Sequence, residues 1–210
     1  MNKLLSLNSE DRLLLGAGPS QVWPNVLTAL SKPPVNHLDK VFNEIMEECK
    51  SLLRYVFQTK NTMTFPVSGT GSAAMELCFM NLIQPGDAVL ICDNGVFGSR
   101  MKAIADKLSA KVYLLKQPWG EAVDLESLEK ILIKHSEIGL VCAVHGETST
   151  GVLSDVESIA KISKKYNCLS LIDAVTIVNR CSILFGSVGY RCSVFRYSKM
   201  FILCAWFING

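Results

Sequence analysis

From about residue 60 onward, short β-branched runs alternate with segments of helical period, and this alternation constrains the fold more than any other feature. TMTFPV precedes SAAMELCFMNLI, AVLIC precedes GSRMKAIADKLSA, and KVYLL precedes DLESLEKILIKH. IGLVCAVH then leads into SDVESIAKISKKY, and CLSLID follows. Successive β–α units of this kind predict an α/β fold: a mainly parallel sheet with helices on both faces. Runs as apolar as IGLVCAV suit strands buried on both sides. Local punctuation agrees. Gln84-Pro-Gly-Asp87 predicts a turn ahead of a strand, and Ser154-Asp-Val-Glu157 predicts a capping box at a helix start. Ahead of these units, Leu13 to Ser20 predicts an extended segment, and Asp39 to Phe57 an amphipathic helix reaching Gln58.

Composition narrows the function. With 210 residues, 49% hydrophobic and 19% charged, the chain is long enough for one sizeable core. A net charge of +2 gives no basic footprint for nucleic acid. The eight cysteines show neither a CxxC pair nor zinc spacing, which predicts buried thiols and no metal site. The first residues, MNKLLSLNSEDRLLL, are too acidic and too short in apolar run for a signal peptide, and no run is long enough to span a membrane. An intracellular soluble protein is expected. The last 34 residues differ in kind: they hold four cations, no carboxylate, and three of the eight cysteines.

In open α/β sheets ligands gather where strand ends meet the following helices. The first such junction is Val67-Ser-Gly-Thr-Gly-Ser72, whose glycines and helix start could cradle a phosphate or simply make a tight turn. Next comes Asn94-Gly-Val-Phe-Gly98, where Phe97 could stack on a flat ring or cover the core. His145-Gly-Glu-Thr-Ser-Thr-Gly151 offers hydroxyl donors, or turn residues satisfying their own backbone. At the end of an apolar strand, Asp173 either caps a helix or wants a cation such as a protonated ring nitrogen. A phosphate cradle, a ring stacker, hydroxyl donors and a carboxylate together form the protein's half of a pyridoxal phosphate (PLP) site. A different reading takes Gly69, Gly71 and Asp93 as a dinucleotide fingerprint of an oxidoreductase. It leaves Asp173 and the 145–151 loop unexplained.

With these junctions in place, the sequence resembles the class V aminotransferases among fold-type I PLP enzymes, and more narrowly the alanine/serine–glyoxylate aminotransferases. The text that carries the resemblance is LLLGAGPS, RYVFQTKN, PVSGTGSAAME, QPGDAVLICDNGVFGSR, KQPWGEAVDLESLE, HGETSTG and LIDAVT, over about residues 13–176. Phe97 stands where many relatives have Trp or Tyr, and Ala17 where Pro is usual. The resemblance implies PLP as cofactor, with Thr70, Gly71 and Ser72 at its phosphate, Phe97 stacked on its ring, and Thr148 near the ring oxygen. It also implies Asp173 on the pyridine nitrogen and Val175 packed on the other ring face. The activity implied is transamination of glyoxylate with alanine or serine, the partners being a small amino acid, a 2-oxo acid and a second subunit.

After Thr176 the text departs from the family, which continues with a Gly-Gly turn, a strand and a Ser-x-x-Gln-Lys signature bearing the Schiff-base lysine. If each codon is started at its second base, Gly186 through Met200 admit D-Q-W-G-I-D-V-L-Y-S-G-T-Q-K-C. Residues from about 178 on are therefore expected to be a frameshifted tail. Lys199 overlaps the codon of the family's lysine and is the one candidate for its role. The expected organisation is an extended arm over 1–20, a partial PLP-binding large domain over 21–176, and an aberrant tail over 177–210. The small C-terminal domain and its carboxylate-binding arginine would be absent. Such a chain is expected to be inactive, a non-catalytic fragment with the last strands missing and an open sheet edge.

Overall fold

Among the described residues from 64 to 177, the apolar runs of the alternating pattern form strands and the segments of helical period form helices. The computed structural model describes residues 13–15, 18 and 21–177, and the backbone of 192–197 and 201–206. Contacts divide the chain into two units, residues 1–34 and 35–210. In the first, helix α1 (Pro24–Leu30) opens on a proline, whose missing N–H costs nothing at a helix start.

The second unit begins with α2 (Lys40–Val56) and continues as β1 (Thr64–Val67), α3 (Gly71–Leu82), β2 (Ala88–Asp93) and α4 (Val96–Lys107). Then follow β3 (Lys111–Lys116), α5 (Leu125–Lys134), β4 (Ile138–Val144), and the two-residue strands β5 (Gly146–Glu147) and β6 (Val152–Leu153). Helix α6 (Val156–Lys165), β7 (Leu169–Asp173), β8 (Cys192–Tyr197) and β9 (Phe201–Trp206) complete the order. Strands β5 and β6 pair as a small antiparallel ribbon. The seven-stranded sheet runs β1-β9-β8-β7-β4-β2-β3. Strands β3, β2, β4, β7 and β8 pair in parallel, while β9 runs antiparallel to both β8 and β1. The sheet is thus mainly parallel, as the alternating pattern predicts.

Strand alternation sorts the core into two layers. Leu90, Cys92, Val141, Ala143 and Ile172 pack with Leu128 and Leu132 of α5 and Ile159 and Ala160 of α6. Their sequence neighbours Val89, Ile91, Leu140, Cys142 and Leu171 pack with Met75, Cys78 and Phe79 of α3 and Met101 and Ala105 of α4. Helices cover both faces, so buried strands carry apolar residues on both sides. Continuing that alternation places Asp93 and Asp173 on the α3/α4 side. The register sets Val144 beside Asp173, so β4 and β7 end together.

Two expectations need correction. The sheet does not lose its last strands: β8 and β9 fill the space between β7 and β1, and the edges are β1 and β3. The tail's text explains this, because CSVFRY and FILCAW are rich in β-branched and aromatic residues that suit a strand in any reading frame. The cap of α6 is also one residue later than the capping box implies. Asp155 accepts from the Ser158 N–H at 3.0 Å and from its hydroxyl at 2.7 Å. Ser154 is drawn inward instead, its N–H donating to the His145 carbonyl at 2.8 Å. The turn at 84–87 forms as expected. Gly86 has φ +90°, the Asp87 N–H donates to the Gln84 carbonyl at 3.0 Å, and Pro85 precedes the glycine as a type II turn requires.

Candidate active site

Helix α3 starts at the end of β1, and its cap is Thr70, whose hydroxyl accepts from the Ala73 N–H at 3.2 Å. That leaves Gly71 and Ser72 at an open helix start, with N–H groups and the positive end of the dipole presented to any anion. The Ser72 hydroxyl accepts a 2.7 Å hydrogen bond from Nη1 of Arg100 on α4. The same guanidinium carbon lies 4.9 Å from the centroid of the Phe97 ring. Phe97 and Arg100 are three residues apart on one helix, so they share a face.

The start of α4 is held from outside. Its N-cap, Gly95, has no side chain with which to accept a bond. The first-turn N–H groups are taken instead by the loop after β4: Val96 donates to Ser149 Oγ and Phe97 to Glu147 Oε2, each at 3.1 Å. Glu147 is 1% exposed and also accepts from the Ser149 N–H at 3.1 Å and its hydroxyl at 2.7 Å. A carboxylate at a helix N-terminus is favoured by the dipole. Glycine is needed at position 95 on steric grounds, because a Cβ there would overlap Cγ and Cδ of Glu147. Glu147 thereby fixes where the Phe97 ring sits.

Asp173, at the end of β7, is 4% exposed. Oδ1 accepts from the Val175 N–H at 3.0 Å, and among the described residues no cation lies within ion-pair distance of it. Burial pushes the carboxyl up to about 6; the Val175 N–H and the more distant Arg100 charge oppose this, and the Glu147 charge adds to it. A buried carboxyl in this condition is short of one counter-charge. Val175, two residues on from Asp173 in the turn after β7, is half-buried, as is Thr148 in the turn after β5. His145 is buried with Nδ1 unpartnered, and burial lowers it to about 4, so it is neutral near pH 7.

The α3 start, the α4 start, the 147–149 turn and the end of β7 therefore converge. Arg100 bridges Ser72 and Phe97, and Glu147 links the turn to Phe97. These residues fit PLP: the buried Asp173 lacks the cation that a protonated ring nitrogen would supply, and the α3 start with Ser72 suits its phosphate. Lys199 lies outside the described residues. Asp93 does not fit the dinucleotide reading. It is 6% exposed, both its oxygens accept from Ser99 Oγ at 3.0 Å, and Gly98 sits where a Cβ would come within 2.8 Å of the Asp93 Cα. No group of metal-ligating side chains occurs among the described residues. Sequence reasoning missed Arg100 and Glu147, which act across 28 and 50 residues of chain. The retrievable signal was a buried-loop acid in HGETSTG and a glycine before Val96 that needed a reason.

Comparison with known proteins identifies the family. The chain is 41% identical over 184 residues to the alanine–glyoxylate aminotransferase of Mus musculus, which covers 87% of this chain and 44% of that protein. It is 36% identical over 172 residues to the (S)-ureidoglycine–glyoxylate transaminase of Bacillus subtilis, covering 82% of this chain and 41% of that one. The crystal structure of alanine–glyoxylate aminotransferase from Nostoc sp. superimposes with a TM-score of 0.92 at 38% identity, over 97% of this chain and 55% of that chain. The chain thus spans about half the length of the relatives it matches. The sequence model described as aminotransferase class-V matches residues 12–190. On this evidence the chain belongs to the class-V aminotransferase family.

Proposed function

We propose that the intact protein is a PLP-dependent aminotransferase that passes an amino group between alanine or serine and glyoxylate. The observation that carries this reading is Asp173, a carboxyl 4% exposed and without an ion-pair partner among the described residues, on the same side of the sheet as Phe97 and the α3 start. The glyoxylate aminotransferases among its relatives support the substrate class. When bound, PLP supplies an electron sink that lets the α-proton of an amino acid leave.

The chain's own residues do the rest. Gly71 and Ser72 present N–H groups, and Thr70 and Ser72 hydroxyls, to the phosphate. Phe97 and Val175 hold the ring from its two faces, and the Thr148 hydroxyl donates to the ring oxygen. Asp173 keeps a proton on the ring nitrogen, since a buried carboxylate and a pyridinium each lower the cost of burying the other. Lys199, the one lysine after Asp173 in the sequence, is the candidate to attach the cofactor and carry the α-proton as general base and acid. A second subunit completes the site in this reading. Because the text around Lys199 departs from the family signature, we assign turnover to the intact protein rather than to this chain, whose tail from about residue 178 we read as frameshifted.

The test begins with the coding DNA from about codon 170 onward. The reading expects a frame that reopens into S-G-T-Q-K, and the protein expressed from it converts alanine and glyoxylate to pyruvate and glycine. Bases that cannot spell that signature overturn the frameshift. A corrected protein that transfers no amino group to glyoxylate overturns the function. Borohydride reduction of this chain with PLP, followed by peptide mapping, shows separately whether Lys199 carries the cofactor.

A further inference from the structure

We propose that Arg100 is a phosphate-reading residue, its guanidinium and the Ser72 hydroxyl together taking the cofactor's phosphate at the start of α3. This rests on the PLP reading above and extends it to a residue on a different helix from the Thr70–Ser72 cradle.

Three observations place Arg100 there. Nη1 donates to Ser72 Oγ at 2.7 Å, so the guanidinium already touches the residue that opens the anion site. It lies over the Phe97 ring at 4.9 Å, which holds the planar group in a fixed attitude beside the ring-stacking residue. And its charge is felt at Asp173, where it favours the ionised form. The guanidinium is otherwise uncommitted. Among the described residues it has no carboxylate within ion-pair distance, and the Ser72 bond uses one of its five N–H donors. The Ser72 hydroxyl, accepting from Arg100, keeps its own proton free to donate to an oxygen on the far side. One fork and one hydroxyl thus converge at a helix N-terminus, which suits two or three oxygens of a phosphate.

Charge balance gives the arrangement a purpose. Asp173 and Glu147 bring two buried carboxyl groups to this side of the sheet. A doubly charged phosphate entering beside them meets repulsion that a helix dipole, equivalent to about half a charge, offsets only in part. Arg100 supplies a full positive charge at the phosphate end and leaves the ring end to Asp173.

The experiment compares the wild-type chain with Arg100→Gln and Arg100→Lys in equilibrium titrations with PLP and with pyridoxal, which has the ring but no phosphate. Loss of a charge-assisted fork is expected to weaken PLP about ten- to hundredfold in Arg100→Gln and to leave pyridoxal unchanged. Arg100→Lys, which keeps the charge and loses the fork, falls between. Equal weakening of PLP and pyridoxal, or no weakening of either, overturns the assignment while the PLP reading stands. A wild-type chain that binds neither overturns both. If Arg100→Gln does not fold, Arg100→Lys carries the same comparison: PLP-selective weakening supports the assignment, and unselective or no weakening overturns it.

Discussion

Asp173→Asn should stabilise the cofactor-free chain near neutral pH and at the same time cripple its affinity for PLP. The carboxyl is raised from 3.8 to about 6, chiefly by burial and with Glu147 adding to it, against the Val175 N–H and Arg100. At about 1.4 kcal/mol per unit, ionised Asp173 costs the folded state about 3 kcal/mol relative to its protonated form. The sign follows from linkage. Between 3.8 and about 6 the folded chain binds more protons than the unfolded one. Its stability contribution is therefore complete below 3.8 and lost as pH rises through about 6. Asparagine keeps an oxygen for the Val175 N–H and cannot ionise, so it escapes this loss, although its buried amide hydrogens cost about 1 kcal/mol when unmatched. The variant should gain about 1–2 kcal/mol on wild type near pH 7, and the advantage should shift by about 2.4 kcal/mol on going down to about pH 4. Urea unfolding at the two pH values reads this as a relative midpoint shift of about 1 M. Taking the difference between the proteins cancels the titration of His145 and every other shared group. A difference that does not change with pH would refute the assignment of the raised carboxyl to Asp173.

Three further outcomes follow from the same geometry. Glu147→Ala strips acceptors from the Phe97 and Ser149 N–H groups and should cost about 2–4 kcal/mol in urea unfolding; a cost below about 0.5 kcal/mol would show that water replaces the carboxylate freely. Gly95→Ala drives a methyl into a Glu147 side chain pinned by its hydrogen bonds, so it should lose about 1–3 kcal/mol and weaken PLP as Phe97 moves. An unchanged variant would contradict the steric need for glycine. His145, lowered from 6.5 to about 4 by burial with Asp155 opposing weakly, contributes stability present above 6.5 and lost as pH falls toward about 4. In His145→Gln that slope should vanish from the stability profile, and its persistence would assign it to another group.

Much of the scaffold was legible because it rests on periodicity. The buried strands β2, β4 and β7 are mostly apolar, and the helices between them show a 3.6-residue repeat. Asp173 stood out for a related reason, since a carboxylate closing LSLI is costly to bury and must either cap a helix or meet a cation. What periodicity does not encode is which loops meet. The hold of Glu147 on the α4 start and the reach of Arg100 to Ser72 arise from the parallel order of strands. That order brings segments far apart in sequence to one edge. The shifted cap at Asp155 has a similar cause, because Ser154 is recruited by His145 from a neighbouring strand end. The tail shows the converse. Family text guided the expectation of missing strands, whereas strand propensity alone sufficed to place β8 and β9 in the sheet.

The central claim is that these residues hold PLP with Asp173 as the counter-charge of its ring. An equilibrium titration of the chain with PLP, followed by quenching of aromatic fluorescence and run side by side with Asp173→Asn, tests it most directly. The account predicts saturable binding by wild type and a loss of affinity of at least about tenfold in the variant. Saturable binding of equal strength in both, or none in wild type, would contradict it.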